Sequence, residues 1–220
     1  MTPQIGQTMK TVAILSEKGG AGKTTIAVHL ATAAQLAGLP TAIIDLDPQA
    51  SASDWADSRD TPPEAVAIPP ARLVAVLDKL RGGGCCFVVI DTGRDSNNAG
   101  YTAAKAADLI LVPCRVGRFD IRALGRTLDL AKLAGKPAHL VFNDLASRAA
   151  KIRAEAVDAL APMGCLIAPV QLSHRAAFRD APMSGQTAQE TDPGSPAAAE
   201  VAALFAWVCD TLGPFHPQTI

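Results

Sequence analysis

The segment Ser16–Thr25 reads SEKGGAGKTT and carries most of the phosphate-loop pattern G-x-x-x-x-G-K-[ST]. Gly22, Lys23 and Thr24 occupy the last three positions of that pattern. The first glycine of the pattern is replaced by glutamate, and a second lysine, Lys18, follows it. In such a loop, backbone N–H groups point at phosphates, the lysine of the pattern reaches the β- and γ-phosphates, and the hydroxyl binds Mg²⁺. The segment therefore predicts a phosphate site with two unusual features.

Apolar runs alternate with helical patterns on both sides of this loop. The sequence predicts strands at 11–16, 41–47, 85–91, 107–113, 138–143 and 165–170. It predicts helices at 24–38, 71–81, 119–134, 149–160 and 196–212, with a short helix and a proline-rich turn region within 54–70. Because the strands are continuous apolar runs, they fit a mostly parallel sheet that helices cover on both faces. The predicted fold class is α/β, a doubly wound P-loop NTPase.

The composition favours a single domain of ordinary size. The chain has 220 residues, of which 49% are hydrophobic and 4% aromatic, and a net charge of −1. We expect a flexible N-terminus at 1–9, one P-loop domain at 10–213 and a tail at 214–220. The five cysteines form no C-x-x-C pair, and no apolar run is long enough to span a membrane. These features favour a cytoplasmic protein with reduced cysteines.

The loop sequence KGGAGKTT is similar to the deviant Walker A motif of the ParA/MinD group of P-loop ATPases, and the chain most resembles small plasmid-type ParA proteins. The resemblance covers about residues 10–212 and implies ATP and Mg²⁺ as cofactors. It implies an ATP sandwich dimer in which Lys18 contacts the phosphates of the partner's nucleotide, as an arginine finger does in trans. It further implies that the whole loop binds nucleotide, through Lys18, Gly19, Gly20, Ala21, Gly22, Lys23, Thr24 and Thr25.

Three aspartates lie at or near the carboxyl ends of predicted strands. In AIIDLDPQAS the resemblance assigns Asp47 to orientation of the attacking water and Asp45 to the surroundings of Mg²⁺, and a cap or turn role for Asp45 stays open. Asp91 ends the strand CFVVID, which is the Walker B arrangement, and would hold Mg²⁺ together with Thr24. The segment Thr92-Gly93-Arg94 departs from the commonest family sequence, T-P-P. We expect Arg94 to be a solvated or dimer-contact residue.

Two further features bear on ligands. Asn143 ends the strand HLVFN at the position where the resemblance implies an adenine contact, and His174 is a second candidate for that site. ParA-like dimers bind DNA without sequence preference, by neutralising phosphates. The preferred DNA-binding set is Arg148, Lys151, Arg153, Arg175 and Arg179. The alternative set is Arg115, Arg118, Arg122 and Arg126, and ordinary solvated faces remain an alternative for both.

The resemblance implies a nucleoid-associated ATPase that partitions a plasmid or chromosome region and hydrolyses ATP when a ParB-like centromere-binding partner stimulates it. One alternative is a relative that positions a protein cargo, such as an organelle or a conjugation complex. A MinD-like membrane role is less favoured, because the C-terminal segment AALFAWVCDTLGPFHPQTI contains no lysine or arginine. An iron–sulfur reductase or a carboxylating ligase on the same fold is a further alternative, for which paired cysteines are not evident.

Overall fold

The computed structural model describes residues 9–94, 97–115, 121–146 and 150–213. Its strands are β1 (Lys10–Ile14), β2 (Thr41–Asp45), β3 (Glu64–Ala67), β4 (Phe87–Asp91), β5 (Leu109–Cys114), β6 (Ala138–Leu145) and β7 (Leu166–Ser173). They form one sheet in the order β3-β2-β4-β1-β5-β6-β7, and all the strand pairs are parallel. The predicted α/β class is therefore confirmed.

Helices lie between the strands and after the last one. They are α1 (Lys23–Leu36), α2 (Ser51–Asp57), α3 (Leu73–Gly82), α4 (Asn97–Ala106), α5 (Ile121–Leu133), α6 (Ala150–Leu160), α7 (Ala177–Asp180), α8 (Ala188–Thr191) and α9 (Pro196–Leu212). Short 3₁₀ turns occur at Pro70–Arg72, Ala161–Met163 and Ala181–Ser184. Among the described residues, no helix combines the length and the apolar character needed to cross a membrane.

The core consists of two apolar layers, one on each face of the sheet. Alternate residues of a strand enter different layers: Val12 and Ile14 face the layer formed with α1, α2, α8 and α9. Ala13 and Leu15 face the layer formed with α3, α4, α5 and α6. A strand that is buried on both sides is apolar at most of its positions, which explains the nearly continuous apolar runs in the sequence.

Strand β1 lies at the centre of the sheet, between β4 and β5. From β1 the chain leads to β2 on one side of the sheet, whereas β5, β6 and β7 lie on the other side. The carboxyl ends of parallel strands next to such a change of direction form the usual ligand crevice of an open α/β sheet. The loop that follows β1 is the predicted phosphate loop, so the topology places it at this crevice.

Several predicted boundaries were wrong. Strand β2 ends at Asp45 and not at residue 47, so Asp47 lies in the turn that follows the strand. The proline-rich region contains strand β3, and helix α4 was not predicted. Met9, the last residue of the predicted flexible N-terminus, is buried in the core. The rest of that segment, and the tail at 214–220, lie outside the described residues.

Candidate functional site

The loop between β1 and α1 surrounds a cavity of about 480 Å³. Two glycines in left-handed conformations shape the loop, Gly20 at φ 69° and Gly22 at φ 98°. The residues around the cavity are Gly19, Gly20, Ala21, Gly22, Lys23, Thr24, Thr25, Asp47, Gln49, Ser51 and Arg94. All residues from 19 to 25 that the sequence assigned to the nucleotide therefore lie around one space, together with the predicted water-orienting Asp47.

The glutamate that replaces the first glycine of the pattern ties the loop to helix α5. The Glu17 carboxylate forms an ion pair with Arg126, and the Glu17 N–H donates a hydrogen bond to Thr127 Oγ1 at 3.3 Å. Lys18 does not line the 480 Å³ cavity. It lines a small neighbouring cavity beside Cys114. The Lys18 charge acts on Cys114, but burial dominates and raises the pKa of that thiol to about 11.

Lys23 and Asn143 close the loop from two sides. Lys23 is 8% exposed, and its Nζ donates to the carbonyl oxygen of Lys18 at 3.4 Å. Asn143 Nδ2 donates to the carbonyl oxygen of Ala21 at 2.8 Å, and a Cβ on Gly22 would lie 2.0 Å from the same nitrogen. The structure thus shows that Asn143, predicted to contact adenine, holds the phosphate loop. This contact joins residues 122 positions apart, and no sequence motif indicated it.

Thr24 and Asp91 form the candidate Mg²⁺ site. Thr24 Oγ1 donates to Asp91 Oδ2 at 2.6 Å, and Asp91 is completely buried. Burial raises the pKa of Asp91 to about 7, an effect that the Thr24 hydrogen bond partly offsets. The other carboxylate oxygen, Oδ1, is buried and has no hydrogen-bond partner among the described residues. A hydroxyl beside a carboxylate with an unsatisfied oxygen fits Mg²⁺, which prefers oxygen ligands and completes its shell with phosphate and water.

The structure separates the roles of the two aspartates after β2. Asp45 is 1% exposed, and its carboxylate accepts hydrogen bonds from the backbone N–H groups of Asp47, Ala52 and Ser53 at 2.9 to 3.2 Å. It thereby fixes the turn and the first residues of α2, which is the cap or turn role that the sequence left open. Burial raises the pKa of Asp45 despite these bonds. Asp47 faces the cavity, and its Oδ1 accepts from the Gln49 N–H at 2.9 Å.

The segment after β4 contacts both the loop and Asp47. Thr92 Oγ1 donates to the carbonyl oxygen of Ile14 at 2.8 Å. A Cβ on Gly93 would lie 3.0 Å from Asp47 Oδ1, so only glycine fits there without displacement. Arg94, which the sequence assigned to solvent or a dimer contact, lines the phosphate cavity. Its position directly after the Walker B strand was the signal that could have identified it.

A second cavity, of about 890 Å³, adjoins the first and shares Thr24, Thr25 and Ser51 with it. Its volume is typical of small-molecule sites. Asn143 and His174, the two candidates for an adenine contact, both line it. The Asp144 carboxylate in its wall contacts His174 Nδ1 and forms an ion pair with Arg115 at 3.2 Å.

Most of the predicted DNA-binding residues have acidic partners in the structure. Lys151 lies 3.9 Å from Glu155, Arg175 lies 2.7 Å from Glu200, and Arg179 lies 2.7 Å from Asp180. Arg175 and Arg179 also line the larger cavity. Arg153 lies over the Phe142 ring at 5.6 Å. These pairings reduce the positive charge that the set offers to a polyanion.

The structure describes only some of the basic residues of the two sets. Arg148 of the preferred set lies outside the described residues, as do Arg118 and the side chain of Arg122 of the alternative set. The described members of the alternative set are paired: Arg115 with Asp144, and Arg126 with Glu17. The DNA-binding role of both sets stays a prediction.

Known proteins resemble the chain in sequence. The maintenance of carboxysome distribution protein A of Gloeobacter kilaueensis is 37% identical over 135 residues, which are 60% of this chain and 62% of that protein. Protein ParA of Rhizobium radiobacter is 29% identical over 124 residues, 56% of each chain. The chain thus matches less than two thirds of the length of these relatives.

Solved structures share the fold at lower identity. MinD from Pyrococcus horikoshii in complex with Mg-ADP is 18% identical, covers 93% of this chain and 98% of its own, and has a TM-score of 0.73. A variant of Cyanothece McdA in complex with ATP is 19% identical, covers 94% and 97%, and has a TM-score of 0.69. The family described as CobQ/CobB/MinD/ParA nucleotide binding domain matches residues 12–188. The chain therefore belongs to this family, as a P-loop protein of the ParA/MinD type.

Proposed function

We propose that the chain is a DNA-partitioning ATPase. It would form a sandwich dimer on ATP, bind DNA without sequence preference on the nucleoid, and hydrolyse ATP when a ParB-like partner stimulates it. The observation that carries the nucleotide chemistry is the Thr24–Asp91 hydrogen bond of 2.6 Å beside the loop cavity, with Asp91 Oδ1 left unsatisfied among the described residues. This arrangement supports an Mg²⁺-nucleotide site, and the family membership supports hydrolysis.

Each site residue has a distinct part in the proposed reaction. The backbone N–H groups of the loop and the Lys23 ammonium bind the phosphates and neutralise charge on them. Thr24 and Asp91 would hold Mg²⁺, which supplies positive charge next to the transferred phosphoryl group when bound. Asp47 orients the attacking water, which is consistent with its place at the cavity wall. Hydrolysis then depends on positioned water and fixed charges.

The dimer enters the proposal through Lys18. This lysine does not line the phosphate cavity of its own chain, although its neighbours Gly19 to Thr25 all do. A phosphate-loop lysine that does not line the cavity of its own loop is consistent with a contact to the partner's nucleotide. A cation supplied in trans stabilises charge on the phosphoryl group only in the assembled dimer.

A second candidate function has the same ATPase cycle and a protein assembly as cargo. A specific observation favours it: the Gloeobacter kilaueensis relative, at 37% identity, maintains the distribution of carboxysomes. The acidic partners of Lys151, Arg175 and Arg179 also weaken the charge argument for the preferred DNA set. Both functions require nucleotide-dependent association with a matrix, and they differ in the partner that stimulates hydrolysis.

The first experiment measures fluorescence anisotropy of a random-sequence DNA duplex without nucleotide, with ADP–Mg²⁺ and with ATP–Mg²⁺, at low and moderate salt. We expect salt-sensitive binding only with ATP, and its loss in Lys18→Ala. DNA binding that does not depend on the nucleotide, or no DNA binding in any nucleotide state, would refute the proposed ATP-dependent DNA binding. Crosslinking of an ATP-locked Asp47→Ala dimer in cells would then identify the stimulating partner, as a centromere-binding protein or as a component of a protein assembly.

A further inference from the structure

We propose that Arg94 binds the γ-phosphate of the nucleotide held by its own subunit. This inference rests on the proposed function, because it requires ATP in the loop cavity. The sequence places Arg94 directly after the Walker B segment Asp91-Thr92-Gly93, where the commonest family sequence has proline. Four observations on the structure assign it to the phosphates. They concern the contact of Arg94 with the phosphate loop, the hydrogen bonds that hold the backbone before it, its lack of a partner among the described residues, and the cavity that it lines.

The first observation is the close approach of Arg94 to the phosphate loop. A Cβ built on Gly19 would lie 3.2 Å from Arg94 Nη1, 3.4 Å from Cδ and 3.7 Å from Cζ. The side chain therefore extends across Gly19, and its guanidinium head is at the loop itself. Both residues line the 480 Å³ cavity together with Lys23. An arginine that needed only solvent would not be expected to lie against the loop backbone.

The second observation is that the backbone before Arg94 is fixed on three sides. The carbonyl oxygen of Asp91 accepts a hydrogen bond from the Leu46 N–H at 2.9 Å. Thr92 Oγ1 donates to the carbonyl oxygen of Ile14 at 2.8 Å, and Gly93 packs against the Asp47 carboxylate. The point from which the Arg94 side chain extends over Gly19 is therefore fixed by the fold.

The third observation concerns charge. Arg94 forms no hydrogen bond and no ion pair with any other residue in the described parts of the chain, and it is exposed at the cavity. The predicted DNA-binding arginines 175 and 179, in contrast, each have a carboxylate partner. The planar guanidinium can donate two parallel hydrogen bonds to phosphate oxygens, which an ammonium cannot do. An arginine that lies beside a phosphate loop, with no partner among the described residues, is suited to a phosphoryl group.

The fourth observation selects the γ-phosphate. The larger cavity, of about 890 Å³, shares Thr24, Thr25 and Ser51 with the phosphate cavity, so a nucleoside in it would adjoin the phosphates on that side. Arg94 lines the phosphate cavity but not the larger one, and it does so together with Asp47, the residue predicted to orient the attacking water. The phosphate that lies furthest from the nucleoside is the γ-phosphate. Arg94 consequently distinguishes ATP from ADP within one subunit, whereas Lys18 would do so across the dimer.

The test uses the full chain with Lys18→Ala, which removes the cation that would act in trans. In this parent we would measure the affinities of a fluorescent non-hydrolysable ATP analogue and of fluorescent ADP, both with Mg²⁺, before and after Arg94→Ala. We expect the affinity for the triphosphate to fall about ten- to hundredfold, the effect of losing a charged hydrogen-bonded contact, and that for ADP to change by less than about threefold. Arg94→Lys should recover only part of the loss, because it restores the positive charge without the two parallel hydrogen bonds of a guanidinium.

The matched control is Arg72→Ala, which removes an equal charge from an exposed arginine outside both cavities. It should leave both affinities unchanged. Equal losses for both nucleotides, or no loss for the triphosphate, would overturn the assignment of Arg94 while leaving the proposed function intact. A parent that binds neither nucleotide would overturn both. If Arg94→Ala impaired only the dimerisation of chains that retain Lys18, Arg94 would be an interface residue, and the proposal would also be overturned.

Discussion

The contact between Gly22 and Asn143 gives a stringent test of how the phosphate loop is held. Gly22 has φ 98°, and a Cβ at this position would lie 2.0 Å from Asn143 Nδ2 and 3.2 Å from its Cγ. The same nitrogen donates the 2.8 Å hydrogen bond to the carbonyl oxygen of Ala21. Gly22→Ala should therefore do two things: strain the backbone of residue 22, and force the Asn143 amide away from the loop.

The two effects have separable magnitudes. A non-glycine residue in the left-handed region costs about 1–2 kcal/mol. Displacement of a buried amide from its hydrogen-bond partner costs about another 1–3 kcal/mol. We expect Gly22→Ala to lower the free energy of unfolding by about 2–5 kcal/mol. Gly20 is the matched control in the same loop, because it has φ 69° and a Cβ added to it would meet nothing within 4 Å. Gly20→Ala should therefore cost only the strain of about 1–2 kcal/mol.

The assay is urea unfolding of the nucleotide-free protein, analysed as a double-mutant cycle of Gly22→Ala with Asn143→Ala. Without the Asn143 amide the clash is absent, so Gly22→Ala should then cost only its strain. The cycle should give a coupling energy of about 1–3 kcal/mol between the two positions. Additive effects, or equal losses for Gly20→Ala and Gly22→Ala, would show that Asn143 does not hold the loop.

Three further predictions concern stability. Burial lowers the pKa of His29 from 6.5 to about 4, so the unfolded chain binds a proton there that the folded protein does not; relative to His29→Ala, the stability of the unmutated protein should fall by about 3 kcal/mol as the pH decreases from 6.5 to 4. Chemical unfolding at several pH values should show this loss, and a His29→Ala protein with the same pH slope would contradict it. Arg59→Ala breaks a buried ion pair and should lower the free energy of unfolding by about 3–5 kcal/mol. Arg81→Ala breaks an exposed pair and should lower it by about 0–1 kcal/mol. Equal shifts of the two variants in thermal unfolding would contradict the expected effect of burial. Asp45→Ala should destabilise the nucleotide-free protein in EDTA by about 2–3 kcal/mol and Asp47→Ala by less than about 1 kcal/mol, and the reverse order in the same assay would refute the cap role of Asp45.

The sequence predicted the central strands well because burial on both faces leaves a strong signal. Residues 87–91 and 109–114 are buried at every position, and their apolar runs are visible without any tertiary information. Strand β3 was missed because it lies at the sheet edge, where three of its four residues are exposed and no apolar run is required. Helix α4 was missed because NNAGYTAAKA carries mostly small and polar residues, so its burial depends on its neighbours.

The candidate site shows the same division between local and distant information. The phosphate loop is contiguous, so its residues could be read in order and do line one cavity. The contact of Asn143 with Ala21 and that of Arg94 with Gly19 each join residues that are far apart in the chain. The role of Asp45 depends on the position of helix α2, which a pattern of two aspartates does not contain. Contacts of this kind can be predicted only when the order of the strands in the sheet is known.

The two buried aspartates at the carboxyl ends of β2 and β4 differ in the hydrogen bonds that their carboxylates accept. Both oxygens of Asp45 accept backbone N–H groups, so its carboxylate is already satisfied by the fold. Asp91 has one oxygen bound to Thr24 and one oxygen without a partner in the described structure. An unsatisfied buried oxygen costs about 1–3 kcal/mol and is rare in folded proteins. A divalent cation beside Asp91 would remove this cost and would favour the ionised carboxylate, whereas the same cation beside Asp45 would have to compete with three backbone hydrogen bonds. Asp91 is therefore better suited than Asp45 to act as a carboxylate ligand for Mg²⁺.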